Sequence, residues 1–460
     1  MKKFSLKIVM GTIGIGLCVW GLAFAIETGE IKGKVADENG AGLPGVEITV
    51  AGPSLQGART ILSSKNGVFY IPLLPVGIYT LTFKLHGFNT VKQENVVVRL
   101  GMTTSLTIAL PLASIQREIV VTAETPLIDK TSTDTSYNLS ASDLQKVPAM
   151  NRTVVDAVKF APGATGVRMN TRRGTATEGQ PSFRGEGEEG NTWIVDGLAI
   201  SGVRLKNSGI KLNYDSLDEI QVISDPFSPE FGSAAGGIIN MVTKSGSNEF
   251  KGEASLVFMN KSLQAGREPQ LSVMSQPEYF SNGNWYLNLG GPILKDKLWF
   301  FLSENYFTST EQTRDGYLDY LFIPGGEKTI GSNNIFAKLT YAITSNHNVS
   351  LMAIYDKSFR QKGGTGLPEL NEGKKYEDFI VRTNYKGILN ATTFIEAGLG
   401  LVKRKSLRYP VSGLLGPAQY FIADLAQNIH SSYGNVADNE KRLDFSFKFT
   451  KYLESESFGR

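Results

Sequence analysis

Residues 442–450 read Arg442-Leu443-Asp444-Phe445-Ser446-Phe447-Lys448-Phe449-Thr450. Leu443, Phe445, Phe447 and Phe449 alternate with Asp444, Ser446, Lys448 and Thr450, the period-2 pattern of a strand with one apolar and one polar face. The pattern recurs upstream. Ile335, Ala337, Leu339, Tyr341 and Ile343 alternate with Asn334, Lys338 and Thr340, and Val381, Thr383 and Tyr385 alternate with Arg382, Asn384 and Lys386. Strands of a soluble sandwich also alternate, so the connections decide. From residue 248 onward, strands are expected at 250–259, 284–290, 298–307, 334–343, 349–356, 377–385, 393–402 and 442–452. The links between them alternate long (260–283, 308–333, 357–376, 403–441) and short (291–297, 344–348, 386–392). Short turns at one end and long loops at the other mark a transmembrane antiparallel β-barrel. Trp285, Trp299, Tyr306, Tyr341, Tyr355 and Tyr452 fall near strand ends, where interfacial aromatic girdles are expected.

The stretch before the barrel, residues 125–247, is Gly-rich with mixed signals. Ser140-Ala141-Ser142-Asp143-Leu144 carries a helix cap, and Val154, Val155 and Val158 suit a short amphipathic helix that ends at Ala161-Pro162-Gly163. Trp193-Ile194-Val195-Asp196-Gly197 reads as a strand closing on an Asp-Gly turn, and Leu217–Ile223 as a short helix or turn running into a strand. Gly232, Gly236 and Gly237 let backbone pass close to packed walls or take positive φ. No GK[ST] follows them, which excludes a phosphate cradle. Glu186, Glu188 and Glu189 read as a solvated acidic loop in preference to a cation site.

Residues 30–112 hold short strands with close-set turns. Ile31–Val35, Val46–Val50 and Tyr79–Lys84 alternate, and Asn66-Gly67 gives a hairpin signal between Ile61-Leu62 and Val68–Ile71. A small antiparallel sandwich is expected. Phe69, Tyr70, Tyr79 and Phe83 alternate as core residues do, which favours a spacer or docking module over a sugar platform. Between this domain and the Gly-rich stretch lies Arg117-Glu118-Ile119-Val120-Val121-Thr122-Ala123-Glu124. By composition alone it is the last strand of the sandwich. A free segment of this kind can also add as a strand to a partner's sheet edge.

Met1–Ala25 reads as an export signal, with Lys2, Lys3 and Lys7 before an apolar Ile8–Trp20 and the small residues Ala23 and Ala25 at the cleavage site. The apolar run would also suit a retained anchor, but the cleavage site and the polar Glu27-Thr28 after it favour removal. The single cysteine, Cys18, lies inside this leader, so the exported chain is expected to carry no disulfide. Lys and Arg number 47 against 44 Asp and Glu, a net charge of +3 that leaves no excess of cations for nucleic acid. Glycine is unusually common, at 49 of 460 residues. His86, His347 and His430 lie in separate contexts, with no G-x-S-x-G elbow, no HExxH and no Cys nucleophile, so neither catalysis nor a metal or other cofactor is expected.

Three fragments then carry a resemblance. "LQKVPAMNRTVVDAVKFAPGATGV", "PSFRGEGEEGNTWIVDGLAI" and "LDEIQVISDPFSPEFGSAAGGIINMVTKSGS" stand in the order and spacing of the plug domain of TonB-dependent outer-membrane receptors. The matching positions are Arg184-Gly185, Asp196-Gly197, Phe231-Gly232 and Gly236-Gly237 with Asn240; Phe231 departs from the more usual Tyr. Residues 30–112 resemble the carboxypeptidase regulatory-like domain, which has an Ig-like, carbohydrate-binding-like fold. "GGPILKDKLWFFLSENYF" resembles the barrel start of the Oar-like subgroup of these receptors.

The resemblance implies a mainly β chain: signal peptide 1–25, sandwich 30–112, TonB-box-like coupling segment 117–124, α/β plug 125–247, and barrel from 248. It makes Glu118, Ile119, Val120, Val121, Thr122 and Ala123 the strand offered to a TonB-type energy-coupling protein of the inner membrane. It also implies outer-membrane location in a Gram-negative cell, with the sandwich and plug on the periplasmic side and lipid around the barrel. The function implied is TonB-coupled uptake of an extracellular ligand, whether glycan, peptide or siderophore-like; the alternative is surface adhesion or assembly on the same fold. About eight strands enclose an interior only wide enough for side chains, whereas plugged transporters have about 22. Ser457-Phe458-Gly459-Arg460 also lacks a terminal aromatic, so the chain is expected to hold only the first part of the barrel.

Overall fold

The computed structural model describes residues 27–55, 57–113, 118–121, 135–147, 154–165, 181–186, 190–201, 212, 214–225, 234–263, 277–313, 316–318, 321–323, 327–362, 372–410, 419–422, 427–430 and 436–452. Ala23, Ala25, Thr122, Ala123, Phe231 and Gly232 lie outside them.

The N-terminal unit is a two-sheet sandwich. Its strands are β1 (Gly29–Ala36), β2 (Glu47–Ala51), β3 (Ala58–Leu62), β4 (Val68–Leu74), β5 (Gly77–Lys84), β6 (Thr90–Val98), β7 (Thr103–Ala109) and β8 (Glu118–Val121). One sheet runs β4-β1-β7 and the other β3-β2-β5-β6-β8. Ile31, Ile48, Val50, Phe69, Tyr79, Leu81 and Phe83 bury one face of each strand in a common core, as the alternation requires. Two expectations are corrected. The sandwich is mixed rather than antiparallel, because β1–β7 and β6–β8 pair parallel. The Asn66-Gly67 turn forms, with Gly67 at φ 73°, but it is not a hairpin: β3 pairs with β2 and β4 with β1. The turn carries the chain from one sheet to the other, a choice of partner that local turn chemistry does not encode.

The central unit is a five-stranded sheet. Its members are β9 (Thr135–Ser140), β10 (Thr192–Val195), β11 (Leu217–Asp225) and β12 (Ile238–Thr243), with Leu198–Ala199 at one edge next to β10, then β12, β11 and β9. All six residues of β12 are buried, which fits its place in the middle of the sheet. Helix α1 (Ala141–Leu144) opens on a capping box between Ser140 and Asp143. Helix α2 (Val154–Val158) buries Val154, Ala157 and Val158.

Eight long strands follow: β13 (Lys251–Met259), β14 (Pro277–Leu294), β15 (Leu298–Thr313), β16 (Glu327–Thr344), β17 (His347–Lys362), β18 (Glu372–Asn390), β19 (Thr393–Pro410) and β20 (Val436–Lys451). Each pairs antiparallel with the next in one continuous sheet, as the strand positions predicted. Links of two or three residues (295–297, 345–346, 391–392) alternate with longer ones (260–276, 314–326, 363–371, 411–435). Among the described residues β13 and β20 are not paired with each other. Several of these strands run to 16–19 residues, well beyond the ~9–11 that cross a bilayer, so they project past the hydrocarbon. Leu443, Phe445, Phe447 and Phe449 of β20 all lie open on the outer face, while Ser446 is buried. One girdle expectation is corrected. Trp299 is fully buried on the inner face, and its indole Nε1 donates to Asn248 Oδ1 at 2.8 Å.

Candidate functional site: the plug seat and its periplasmic dock

The central unit shares its core with the inner face of the long strands. Trp193, Val195, Leu198, Leu217 and Ile239 pack in one cluster with Phe301, Phe336, Met352, Ile354, Ile380 and Val402. Over this apolar seat, polar groups fasten the segment Asp196–Ser201. The strand β10 ends at Asp196, held at φ 41°, and Gly197 follows at φ 77°. A side chain at Gly197 would be strained by that φ and would also meet the Glu27 carboxylate and Arg382. Asp196 is 2% exposed. Its Oδ1 accepts from Thr243 N at 2.9 Å, and its Oδ2 from Thr243 Oγ1 at 2.5 Å and Lys338 Nζ at 2.9 Å. Lys338 comes from β16 and also donates to Thr243 Oγ1 and O. One buried ion pair thus joins the turn, the middle strand of its sheet and the barrel wall.

Neighbouring barrel strands extend the fastening. Asn384 Nδ2 of β18 donates to Asp196 O at 3.0 Å and to Glu27 Oε1 at 2.8 Å. Arg382 donates to Asn384 Oδ1 at 2.6 Å, Asp444 Oδ1 at 3.1 Å and Ser446 Oγ at 2.9 Å. Arg404 donates to Ile200 O, and Arg442 to Ala199 O and Ser201 O. The seat is non-covalent, and its cations lie on the wall.

The remaining predicted positions fall into two groups. Arg184 and Gly185 form a left-handed pair at φ 58° and 76° after the strand residues Ser182-Phe183. Gly236 and Gly237 are close-approach positions: an added Cβ would come within 2.6 Å of Asn191 Oδ1 and 2.5 Å of the Phe183 ring respectively. Neither takes a positive φ in this fold. Asn240 is buried in β12. Gly236 and Gly237 thus shape the plug through close approach, whereas Asp196-Gly197 seats it on the wall.

Glu118–Val121 is not free: as β8 it pairs parallel with β6 at the edge of the sandwich, Thr90 opposite Glu118 through Gln93 opposite Val121. The sandwich in turn is docked. The turn between β6 and β7 meets the central sheet, where Leu100 N donates to Glu219 Oε1 at 3.1 Å and Leu100 O accepts from Gln221 Nε2 and Asn138 Nδ2, both at 3.0 Å. Asn138 also donates to Glu219. Burial pushes the Glu219 carboxyl up from its ordinary range, opposed by the Asn138 and Leu100 hydrogen bonds. Val76, Leu100 and Val242 close an apolar contact beside them. Against the barrel, Glu27 pairs with Lys386 at 2.8 Å, and Tyr70 OH meets Tyr452 OH at 2.5 Å with Glu30 as a further acceptor. Tyr452 therefore packs against Phe394 and Tyr70 at this dock, a second departure from the expected girdle. A cavity of about 800 Å3 remains between sandwich, central unit and wall, lined in part by Glu27, Asp218, Lys244, Lys338 and Lys386.

Sequence reasoning missed Lys338, Arg404, Arg442, Glu219 and Gln221 as functional groups. The available signal was a charged or amide side chain at a position that alternation turns inward. Among the described residues no group of three or more His, Cys, Asp or Glu is arranged to hold a metal ion.

Comparison with known proteins bears on this arrangement. Family models match for a carboxypeptidase regulatory-like domain at residues 30–111, a TonB-dependent receptor plug domain at 129–238 and an outer membrane β-barrel domain at 242–318. The chain thus joins a carboxypeptidase regulatory-like domain, a TonB-dependent receptor plug domain and an outer-membrane β-barrel domain in that order. It is 28% identical over 375 residues to the TonB-dependent transporter Oar of Myxococcus xanthus, covering 74% of this chain and 34% of that protein. It is 28% identical over 235 residues to the probable TonB-dependent siderophore receptor PirA of Acinetobacter baumannii, covering 46% of this chain and 28% of PirA. The chain thus spans about a third of the length of these relatives or less. The fold is shared with the outer membrane transporter YddB of Escherichia coli (TM-score 0.54, 13% identity, 70% of this chain and 46% of that one). It is also shared with the PirA structure of Acinetobacter baumannii (TM-score 0.51, 19% identity, 74% and 48%). The chain belongs in the outer membrane.

Proposed function

We propose that this chain is the plug-bearing part of a receptor that takes up an extracellular ligand through the outer membrane, driven by a TonB-type protein. The observation that carries the reading is the seat itself. The plug is held on the barrel wall by Asp196–Lys338 and by arginine contacts to the carbonyls of residues 199–201, with no covalent tie in the described contacts. Contacts of this kind can be broken and remade within one transport cycle.

Orientation supports the reading. The sandwich meets the barrel through Phe394, just after the two-residue link 391–392, and Tyr452. Short links mark the periplasmic end, so the sandwich and β8 face the compartment from which an inner-membrane protein reaches them. Residues 118–123 are the coupling strand in this reading, offered by main-chain addition. The bilayer surrounds the outer face of β13–β20. The ligand class stays broad: glycan, peptide or siderophore-like, with the names of PirA and the ferrienterobactin receptor leaning towards the last. No step requires catalysis, a cofactor or nucleic acid.

The test is deletion of residues 118–123 in the native host. Ligand-dependent growth is expected to fall to the level of a null strain while surface binding of the same ligand persists. Uptake that survives the deletion would favour adhesion or assembly instead.

A further inference from the structure

The coupling segment and the plug are joined twice. One route is covalent, along residues 122–134. The other runs through the sandwich: β8 pairs with β6, β6 leads directly into the turn at Leu100, and Leu100 is held by Glu219, Gln221 and Asn138 of the plug sheet. The two ends of this second route are well separated. β8 pairs with residues 90–93, the start of β6, whereas the dock lies at its far end. Seven residues separate Gln93 from Leu100, up to about 23 Å of extended strand. β8 therefore sits on the part of the sandwich remote from the plug. It is the last strand of its sheet, and among the described residues nothing pairs with its outer edge.

A strand has two hydrogen-bonding edges. β6 uses one edge of β8, which leaves the other for an added strand. Capture of β8 therefore does not require its release.

We propose that the sandwich is the handle by which the plug is pulled: β8 is captured in place on its outer edge, and load passes through β6 and Leu100 to Glu219, Gln221 and Asn138, a route separate from the chain connection along residues 122–134. This rests on the reading of 118–123 as the coupling segment. Glu219 and Gln221 then act as positioning residues for energy transfer, and the sandwich has a mechanical role that neither a spacer nor a sugar-binding module would have. The contacts to the barrel, Glu27–Lys386 and Tyr70–Tyr452, are the ones that part when the handle moves.

The test is single-molecule pulling on the full chain in outer-membrane patches, in a Cys18→Ala background, with the purified periplasmic domain of the host's TonB-type protein on the tip. Unmodified protein and oxidised Lys92→Cys/Val120→Cys, a directly opposed β6–β8 pair, are both expected to show plug extraction with no preceding step. Glu219→Ala/Gln221→Ala is expected to add an early rupture step at the dock, no longer than the contour of residues 122–134, up to roughly 45 Å, with tip adhesion unchanged. Three results overturn the proposal: the early step in unmodified protein, loss of adhesion by tenfold or more on oxidation with recovery on reduction, or thiols that fail to cross-link. Loss of adhesion on deleting residues 118–123 checks the coupling reading separately. If the deleted protein adheres equally, that reading fails as well.

Discussion

Asp196 shows how far a single residue could be read in advance. Its place in a strand-ending Asp-Gly turn was legible, because Asp tolerates a left-handed φ and Gly follows it. What it holds was not legible: Lys338 lies 142 residues later, on a different unit. Removing one partner of such a buried pair leaves an uncompensated charge, at a cost of about 3–5 kcal/mol. Lys338→Met is accordingly expected to loosen the plug, read as faster maleimide labelling of a cysteine placed at Ile200. Asp196→Asn/Lys338→Met should recover most of the loss. Asp218, two strands away in the same sheet, adds a pH term. Burial is the main cause that pushes its carboxyl up to about 6, with Asp196 adding to the rise and Lys244 and Lys338 opposing it. The folded state therefore binds this proton more tightly than the unfolded chain, whose carboxyl titrates near 3.8. The contribution is present in full below that value and is lost as pH rises through about 6. Asp218→Asn should raise the unfolding free energy at pH 7.5 by an amount of order 1–3 kcal/mol, seen as a higher melting temperature, and flatten the pH dependence between about 4 and 6.

At the scale of elements, all eight long strands were placed correctly by alternation, but all except the first, expected at 250–259 and found at 251–259, were drawn too short. The strand expected at 284–290 runs from 277 to 294. Residues such as Ser281-Asn282-Gly283 break the apolar pattern, yet β15 pairs with them residue by residue, and pairing rather than pattern sets the strand's end. The same non-locality explains Asn66-Gly67, where the turn was right and the partner wrong. It also explains Glu118–Val121, whose composition pointed to the edge strand that the fold shows. Alternation does fix which face each residue takes, and that is testable on adjacent positions. Leu339 points outward, exposed, next to inward Lys338. Leu339→Arg should therefore destabilise the inserted barrel by about 2–4 kcal/mol if it lies near the bilayer centre, and less towards its edges. Thr340→Ser, on the buried inner face, should change stability by less than about 1 kcal/mol. Urea titration in liposomes, following tryptophan emission, separates the two.

For the whole molecule, what matters is where each unit keeps its core. The sandwich encloses its own: Ile31, Phe69, Tyr79 and Phe83 belong to a cluster made entirely of residues from 31 to 110. The plug does not. Trp193 and Leu198 complete their packing on Phe336, Ile380 and Val402, which the barrel supplies. Area removed from water is the main stabilising term, roughly 25 cal/mol per Å2, so a unit cut away from part of its core loses stability in proportion. The two units should behave differently in isolation. A fragment of residues 27–121 is expected to unfold in one cooperative transition, with near-ultraviolet circular dichroism from its buried Tyr79 lost at the same midpoint as the far-ultraviolet signal. A fragment of residues 125–247 is expected to lack that cooperativity and to bind a hydrophobic dye at 25 °C, because the faces that meet the barrel are then exposed. If the isolated plug melted as sharply as the sandwich, the shared core would contribute little, and the seat would rest on Asp196, Lys338 and the arginine contacts alone. The Lys338→Met effect and the arginine contacts would then have to supply the free energy of seating between them, so measuring both fragments and the variant divides the plug's hold on the barrel between apolar packing and polar contacts.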